Sequence, residues 1–287
     1  MTAHDSDRLR SLAARIANAA GASGQDVQRV RRGLAFHRLL ARMAGSGWVL
    51  KGGYCLEARL AGAARATKDI DFVRQEMAPS ADDLLGDLDA LLMRAPVDDG
   101  FTFDALTAKL LRAPEDPAAA WRVKVQCAVD GHPFETLTLD VVSQFGEVAD
   151  AVEHLTIPPP VTVPGIGPVT VDAVDVHQHA AEKFHAIGRL YAGERPSSRV
   201  KDLVDLALLI EAGLLTDLSR LHRRLLVVHE ARDGRPPTPT LPAPPAAWET
   251  GYARLVDDLD LSLRSVGAAF DRAHAIYHSA LTEGPTR

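Results

Sequence analysis

A pair of adjacent glycines near residue 50 constrains this chain more than any other feature of its sequence. Leu50 and Lys51 end a short run typical of a strand, Gly52 and Gly53 follow at once, and a helical pattern begins there. Two glycines that open a helix leave backbone N–H groups free to face an anion. The stretch therefore predicts a strand, a tight turn, and a helix whose first turn is suited to a phosphate.

A second strand, carrying two carboxylates, is predicted shortly after this helix. Asp69 and Asp71 flank Ile70 in an otherwise apolar run, and side chains two positions apart in a strand point to the same face. Carboxylates so close repel each other, so both stay ionised most easily around a divalent cation. A phosphate cradle near a metal-binding acid pair indicates phosphoryl or nucleotidyl transfer.

A hairpin farther along the chain supplies a third carboxylate. Residues 121–129 alternate between apolar and polar side chains, as a half-buried strand does. The Asp-Gly pair at 130–131 is a hairpin signal, and we expect the next two residues to lengthen its loop. The returning strand, residues 134–142, places Asp140 on the face opposite its apolar neighbours. Three carboxylates on adjacent strands would form a two-metal site.

The composition excludes several classes of function. The 287-residue chain is 46% hydrophobic and can bury a substantial core, but it contains no apolar run of about 18 residues, the length that a membrane-spanning helix needs. Cys55 and Cys127 are far apart and lack metal-type spacing, which predicts a reducing cytoplasm and no disulfide. The formal net charge is −6, so any contact with nucleic acid requires a local basic patch.

Two helices are predicted before the double glycine, over residues 8–20 and 26–44. The second helix carries a row of arginines beside its apolar positions. We interpret this row as a solvated helix face, in preference to a stripe that binds RNA. The arginines in the row are Arg29, Arg31, Arg32, Arg38 and Arg42.

The chain changes character after a proline- and glycine-rich passage at residues 158–168. We expect an N-terminal domain over residues 1–172 and a helical lobe over residues 173–287. Within the first domain, a helical N-terminus at 1–45 precedes a sheet core at 46–172. Helical periodicity dominates the lobe, with predicted helices at 175–191, 199–212, 218–230 and, in one or two pieces, 248–280.

A proline-rich segment interrupts the helical lobe at residues 235–245. It cannot be helical, because proline lacks the backbone N–H and clashes with the preceding turn. The segment is either an exposed linker or an extended strap packed on the helices. Trp248 follows it directly and favours the strap.

The helical lobe also carries a candidate charged pair. Lys183 lies beside the apolar stripe of its helix, where a cation is partly desolvated and needs an anion. Asp205 lies between leucines on the next helix and needs a cation, which Lys183, Arg199 or Lys201 would supply. An interhelical salt bridge and a catalytic pair that positions a substrate explain this segment equally well.

Four blocks of the sequence together resemble a known family. They are similar to the nucleotidyltransferases of the polymerase-β superfamily and, within it, to the AbiEii/AbiGii-type (MenT-like) toxins of bacterial toxin–antitoxin and phage-defence operons. In chain order the blocks are Leu50-Lys51-Gly52-Gly53-x-x-Leu56, Arg65-x-Thr67-Lys68-Asp69-Ile70-Asp71, Glu182-Lys183-Phe184-His185-Ala186-Ile187 and Lys201-Asp202-Leu203-Val204-Asp205-Leu206. The order of four blocks over residues 50–206 makes a chance match improbable.

This resemblance implies a fold and an activity. The expected fold is α+β, with a mixed sheet flanked by helices and followed by a helical C-terminal lobe. Relatives of this kind transfer nucleotides from a nucleoside triphosphate to the 3′ end of tRNA, which blocks aminoacylation and growth. The resemblance also implies Mg²⁺ or Mn²⁺ as cofactor, a cognate antitoxin as partner and a cytoplasmic location.

The resemblance assigns roles to the acids and to the lysine. Asp69 and Asp71 match the metal-binding pair, and Asp140 fits the third carboxylate of the metal site. Lys183 and Asp205 match the positions of a catalytic lysine and a catalytic aspartate.

The glycine turn is implied to bind the nucleotide, through Lys51, Gly52, Gly53 and Tyr54. The superfamily usually has a serine or threonine after the glycines, where its hydroxyl helps to bind phosphate. Tyr54 and the cysteine after it stand there instead, so nucleotide choice is expected to differ. Thr67 occupies a hydroxyl position that some related antitoxins phosphorylate, which makes it a candidate regulatory site.

Two other functions remain open from the sequence. The first is a nucleotidyltransferase with a different acceptor, either a protein hydroxyl or a small molecule such as an antibiotic. The second is not an enzyme at all, but a degenerate relative that only binds a partner.

Overall fold

A mixed sheet organises the first part of the chain in a computed structural model, which describes residues 3–76, 78, 80–94, 99–112, 120–142, 145–189 and 199–282. The described residues form seven strands and ten helices. The elements up to the end of the sheet are α1 (Ala3–Ser23), α2 (Val27–Met43), β1 (Val49–Lys51), α3 (Gly52–Arg59), β2 (Ile70–Val73), α4 (Ala81–Leu92), β3 (Phe101–Arg112), β4 (Ala120–Val129), β5 (His132–Val142), α5 (Phe145–Val148), β6 (Val152–Ile157) and β7 (Val169–Val174).

The strand order within the described residues is β3-β4-β5-β2-β1-β7-β6. β4 is antiparallel to both of its neighbours, β3 and β5. β5 runs parallel to β2, and β1 is antiparallel to β2 but parallel to β7. Helices α2 and α4 pack against β5 and β3, and α3 packs against β1 and β2. This mixed sheet, flanked by helices and followed by a helical segment, confirms the predicted α+β fold.

The chain divides into two compact units. The first comprises residues 1–59, 66–146 and 152–173, and the second comprises residues 60–65, 147–151 and 174–287. The short segments 60–65 and 147–151 thus belong with the helical part, although they lie earlier in the sequence. The domains predicted at 1–172 and 173–287 stay a prediction, because contacts within each unit do not establish that either folds alone.

The hairpin between β4 and β5 is tighter than the sequence analysis expected. Asp130 and Gly131 both have positive φ, 48° and 78°, as a two-residue type I′ turn requires. His132 already pairs with Val129, so the prediction that two more residues lengthen the loop is wrong. Pro133, which has no N–H to donate, lies beside a register shift in the ladder, where its missing donor is tolerated.

Two arginines of the α2 row are buried and the other three are half-buried, contrary to the solvated face that the sequence favours. Arg38 and Arg42 are 4% and 2% exposed, and both guanidinium groups donate to the carboxylate of Asp99 at 2.7 Å. Burial alone would raise the pKa of Asp99, but the hydrogen bonds and charges of the arginines lower it. Arg29 pairs with Glu57 at 2.7 Å. Arg29, Arg38 and Arg42 therefore hold elements of the first unit together.

The second unit is helical, as predicted. Its helices are α6 (Val176–Gly188), α7 (Val200–Glu211), α8 (Leu218–Asp233), α9 (Trp248–Val256) and α10 (Val266–Thr282). The predicted end of the first of these helices, at Tyr191, lies outside the described residues. None of the helices that the structure describes is long and apolar enough to cross a membrane. Cys55 and Cys127 are both buried and are not joined by a disulfide.

The proline-rich segment is a packed strap, as the sequence favoured. Residues 235–247 contain no helix or strand, yet Leu241 is only 8% exposed and contacts the helix end at Gly188. The Tyr277 hydroxyl donates to the carbonyl of Thr238 at 2.8 Å, and the Tyr277 ring packs on Phe184 with centroids 5.4 Å apart. The strap therefore covers part of the helical core.

The buried charges of α2 make a stability prediction. Asp99→Asn removes the negative charge that faces Arg38 and Arg42, so the unfolding free energy should fall by about 3–5 kcal/mol. Asp87→Asn is the matched control, because its pair with Arg74 leaves the Asp87 side chain 53% exposed, and it should cost less than about 1 kcal/mol. Urea unfolding of both variants measures the difference; equal losses would contradict the buried role of Asp99.

Candidate active site

The turn between β1 and α3 is built around one close approach. Gly52 has a φ of +68°, which favours glycine, and a Cβ added there would overlap the carboxylate of Asp71. Asp71 reaches this place because it pairs directly with Lys51 in the antiparallel β1–β2 register. The predicted glycine turn and one member of the predicted acid pair are therefore adjacent in the first unit.

Tyr54 belongs to the core of the first unit. Its side chain is 6% exposed, its ring lies 4.8 Å from that of Phe36, and its hydroxyl donates to the carbonyl of Gly33 at 3.4 Å. Burial raises the pKa of Tyr54. Cys55 is fully buried beside it. The Tyr54 side chain therefore packs in the core of the first unit, and the role of Tyr54 in binding the nucleotide stays a prediction.

Asp69 lies just before β2, not within the strand as predicted. The hydroxyl of Thr67 donates to the Asp69 carboxylate at 3.0 Å and to its carbonyl at 3.2 Å. The backbone N–H of Thr67 donates to Glu57 at 3.3 Å, and Arg29 holds the other oxygen of Glu57. Thr67 is 7% exposed, so its phosphorylation, which stays a prediction, requires this segment to open first.

Asp140 pairs with Asp71 in the parallel β2–β5 register, so the two carboxylates project from neighbouring strands on one face. Both oxygens of Asp140 accept hydrogen bonds from the guanidinium of Arg122, at 2.7 and 2.6 Å. The hydrogen bond and the charge of Asp140 raise the pKa of Arg122, and the charges of Asp69 and Asp71 add to this shift. The structure thus gathers three predicted acids around an arginine.

Sequence reasoning did not assign any role to Arg122. The alternation of β4 predicted that its side chain faces the solvent, but the alignment with Asp140 depends on the register shift between Cys127 and Ala128. Without that bulge, Asp140 would face Trp121, because the turn pairs Val129 with His132. The bulge leaves no clear signal in the sequence beyond the proline that accompanies it.

The donor set fits a divalent cation in part. Carboxylate oxygens are the ligands that Mg²⁺ prefers, and Asp69 and Asp71 offer them near the glycine turn. Within the described residues, however, no group of three or more acids, histidines or cysteines is arranged to hold a metal ion. Arg122 already occupies one lone-pair site on each oxygen of Asp140, so a cation bound by Asp140 would share these oxygens with the guanidinium. The role of Asp140 as a metal ligand stays a prediction.

The second unit contains the other predicted pair. The ammonium of Lys183 on α6 lies 2.6 Å from Asp205 and 3.0 Å from Asp202, both on α7. Arg65 donates two parallel hydrogen bonds to Asp205, at 2.8 and 2.9 Å. Of the expected partners for Asp205, Lys183 is confirmed, whereas Arg199 lies near Asp202 instead, at 3.8 Å. Arg65 was missed, although it opens one of the blocks that carry the family resemblance.

The charges of this cluster are tightly coupled. The Asp205 side chain is fully buried and the Lys183 side chain is 8% exposed. Burial alone would raise the pKa of Asp205, but the charges of Lys183 and Arg65 lower it. Burial alone would lower the pKa of Lys183, but Asp205 and Asp202 raise it. Both groups are therefore held in their charged forms.

Comparison with known proteins identifies the family. A family model described as the nucleotidyl transferase AbiEii toxin of type IV toxin–antitoxin systems matches residues 37–275. The chain belongs to the AbiEii toxin family. Comparison with curated proteins gives no significant match. The family assignment confirms the resemblance that rested on four short blocks of the sequence.

Comparison with solved structures gives three similar chains, of which the first supports the fold of this AbiEii-family chain. It is similar to MenT4, a nucleotidyltransferase toxin from Mycobacterium tuberculosis H37Rv, with 20% identity and a TM-score of 0.51 over 93% of this chain and 88% of MenT4. A putative nucleotidyltransferase from H. pylori gives 17% identity and a TM-score of 0.47, over 88% of this chain and 95% of the other. ANT(2″)-Ia, solved in complex with adenylyl-2″-tobramycin, gives 12% identity and a TM-score of 0.33, over 71% of this chain and 98% of the other.

The contact between Gly52 and Asp71 makes a prediction with an internal control. Gly52→Ala should cost about 1–2 kcal/mol for its positive φ and should also displace the Asp71 carboxylate, so nucleotidyl transfer should fall. Gly47→Ala carries the same backbone strain, since Gly47 has a φ of +78°, but a Cβ there meets nothing within 4 Å. Transfer rates and unfolding curves separate the two effects; equal activity in both variants would contradict the argument.

The Asp205 cluster makes a pH-dependent prediction. Asp205→Asn keeps one oxygen that accepts hydrogen bonds but removes the negative charge that faces Arg65 and Lys183, so the unfolding free energy at pH 7 should fall by about 3–5 kcal/mol. The folded pKa of Asp205 lies below its ordinary value of 3.8, so its contribution is complete above that pH and is lost as pH falls through the folded pKa. The difference between the two proteins should therefore shrink only below about pH 4.

Urea unfolding at pH 7, 5 and 3 checks this pH dependence. Asp202→Asn is the control, because it removes only the charge that faces Lys183 at 3.0 Å and Arg199 at 3.8 Å and leaves Arg65 in place, and it should cost less. A difference that disappears already at pH 5 would show that the cluster is not held by the charge of Asp205.

Proposed function

We propose that this AbiEii-family chain transfers nucleotides from a nucleoside triphosphate to the 3′ end of an RNA. The acceptor end of tRNA is the preferred target, and its modification would block translation in the cytoplasm. The observation that carries the proposal is the Asp71 carboxylate lying directly against Gly52, which brings a metal-type acid to a turn suited to phosphate. Membership of a nucleotidyltransferase toxin family supports the same conclusion.

The glycine turn would bind the triphosphate. The backbone N–H groups at Gly52 and Gly53 open α3, where the helix dipole also favours negative charge. Lys51 would add a positive charge from the end of β1. Because Tyr54 is buried, the usual contact from a small hydroxyl would be replaced by these backbone groups.

Asp69 and Asp71 would hold a divalent cation, Mg²⁺ or Mn²⁺, with Asp140 as the further candidate ligand. Such an ion neutralises phosphate charge and lowers the pKa of a bound hydroxyl. The hydrogen bond from Thr67 would orient the Asp69 carboxylate for this role. The RNA 3′ oxygen would form a bond to the α-phosphorus, the bond to the leaving pyrophosphate would break, and the hydroxyl proton would pass to solvent.

Lys183 and Asp205 would be the catalytic lysine and aspartate. Lys183 is suited to stabilise negative charge on the phosphates as a point charge. The two short contacts that Asp205 makes, to Lys183 and to Arg65, support an orienting role for this acid. Arg65 lies four residues before Asp69 in the chain.

A cognate antitoxin would control the enzyme, since the family is that of a toxin–antitoxin system. Phosphorylation of Thr67 is one route by which it would act. A phosphate there would replace the hydrogen bond to Asp69 and add a charge of about −1.5 to −2 beside the acid pair. Both a cation and a triphosphate would then bind less well.

Labelled nucleotides test the proposed function directly. The protein is incubated with each of the four nucleoside triphosphates and either total RNA or lysate protein, and RNA 3′ ends are then sequenced. Extension of tRNA 3′ ends is the expected result. Labelling of protein, or of neither fraction, would replace the proposal with a protein-modifying or a binding function.

A single substitution tests the assignment of the acid pair. Asp69→Asn preserves an oxygen that accepts the Thr67 hydrogen bond but removes the charge, so transfer should fall by at least about 100-fold. Asp104→Asn is the matched control, because Asp104 is an exposed acid on β3 of the same sheet, and it should leave transfer unchanged. Full activity of Asp69→Asn would exclude Asp69 from catalysis.

A further inference from the structure

One row of charged residues crosses five strands of the sheet. Lys51 pairs with Asp71, Asp71 with Asp140, Asp140 with Arg122, and Arg122 with Lys109. Residues opposite each other in a ladder project from the same face. Adjacent strands are about 4.8 Å apart, so the row extends roughly 19 Å. The two acids therefore lie between a lysine on one side and two basic residues on the other.

The basic side of this row continues along the sheet. Lys124 follows Arg122 by two positions on β4, so both project from the same face, and both are exposed, as is Lys109. Lys124 donates to the Thr138 hydroxyl at 2.6 Å and pairs with Thr107 on β3. We call Lys109, Arg122 and Lys124 the basic face.

Folding alone does not account for the basic face. Lys109 and Arg122 are directly opposite each other, and like charges in such a pair destabilise a sheet. Among the described residues, neither Lys109 nor Lys124 forms an ion pair, and the alternate residues Val123 and Val125 are buried, which keeps the basic side chains turned outward. A chain with a net charge of −6 thus concentrates positive charge beside its acids, as an anion-binding surface requires.

The position of the basic face indicates on which side of the acids the nucleoside triphosphate binds and on which side the RNA acceptor binds. The glycine turn and Lys51 lie on one side of the acids, and the basic face lies on the other. Nucleotidyl transfer is an in-line displacement, in which the attacking hydroxyl and the leaving group occupy opposite sides of the phosphorus. A triphosphate at the glycine turn therefore requires that the acceptor approach from the side of Arg122, Lys109 and Lys124.

We propose that the basic face binds backbone phosphates of the RNA strand whose 3′ hydroxyl is the acceptor. This inference rests on the proposed function. Lysine and threonine side chains are common phosphate contacts, and they position a nucleic acid without reading its bases. Lys109 and Lys124 are the phosphate contacts, and Arg122, held by Asp140, joins the basic face to the acids.

Direct RNA binding tests the basic face independently of catalysis. The full-length protein is titrated with a fluorescent RNA that has a free 3′ hydroxyl, at a series of salt concentrations. The double variant Lys109→Ala/Lys124→Ala should bind about tenfold or more weakly, and the slope of log affinity against log salt should decrease by about 1.4, the value for two single-strand phosphate contacts. Lys109→Arg/Lys124→Arg should retain affinity, since phosphate contacts need only charge.

A control variant removes the same charge elsewhere. Arg254→Ala/Arg272→Ala deletes two exposed cations from α9 and α10 and should bind RNA as the native protein does. Equal weakening by both double variants would overturn the proposal in favour of a general charge effect. Unchanged RNA affinity of the lysine variant would also overturn the proposal. A parallel titration with poly-glutamate tests an acidic protein as the ligand. If the lysine variant lost affinity for poly-glutamate but not for RNA, the basic face would be assigned to an acidic protein instead.

Kinetics separate this inference from the proposed function. If the native protein extends RNA, the lysine variant should raise KM for RNA while KM for the nucleotide and kcat change less than about twofold. A loss confined to kcat would overturn the phosphate-binding role. If the native protein extends no RNA, the proposed function fails, and the binding series still decides whether the basic face holds nucleic acid.

Discussion

The register of β2 determines the chemistry of the first unit. This four-residue strand pairs with β1 on one side and with β5 on the other, and it therefore aligns Lys51, Asp71 and Asp140 in a single row. A shift of one residue would turn Asp71 into the core and bring Ile70 to the surface, since side chains alternate between faces. Burial of Ile70 and Phe72, at 0% and 1% exposure, opposes such a shift and so keeps the acid at the glycine turn.

The row also depends on an irregularity in the neighbouring hairpin. The type I′ turn pairs Val129 with His132, and the register shift next to Pro133 then moves every later pair by one residue. Arg122 consequently faces Asp140 instead of Leu139. An ideal hairpin with the same turn would set the polar side chains of β4 against the buried side chains of β5. The bulge thus allows the buried side chains of β4 to pair with the buried side chains of β5, although the two strands are joined by a two-residue turn.

The sequence predicted the parts of the site whose chemistry is local. Gly52, Asp71 and Lys183 were named as candidate site residues because a glycine pair, alternating acids and a lysine beside an apolar stripe can each be recognised within a few residues of sequence. Arg122 and Arg65 were missed because each acquires its role from a partner far along the chain, Asp140 and Asp205. The burial of Tyr54 and of two α2 arginines was not predicted for a related reason, since only the packing of α2 against α3 and α4 decides which side chains are buried.

The same electrostatic solution recurs at three places in the chain. Asp99, Asp140 and Asp205 each accept two parallel hydrogen bonds from one arginine. The planar guanidinium fork matches a carboxylate and keeps its charge at every physiological pH, so it compensates an acid without introducing a titration of its own. At Asp99 and Asp205 the acid is almost fully buried, and the fork stabilises the fold. At Asp140 the arginine is 43% exposed, where screening by water makes the pair weak. An exposed bidentate pair beside two further acids adds little stability. The presence of the Arg122–Asp140 pair is therefore explained by its position in the row of charged residues and not by a contribution to folding.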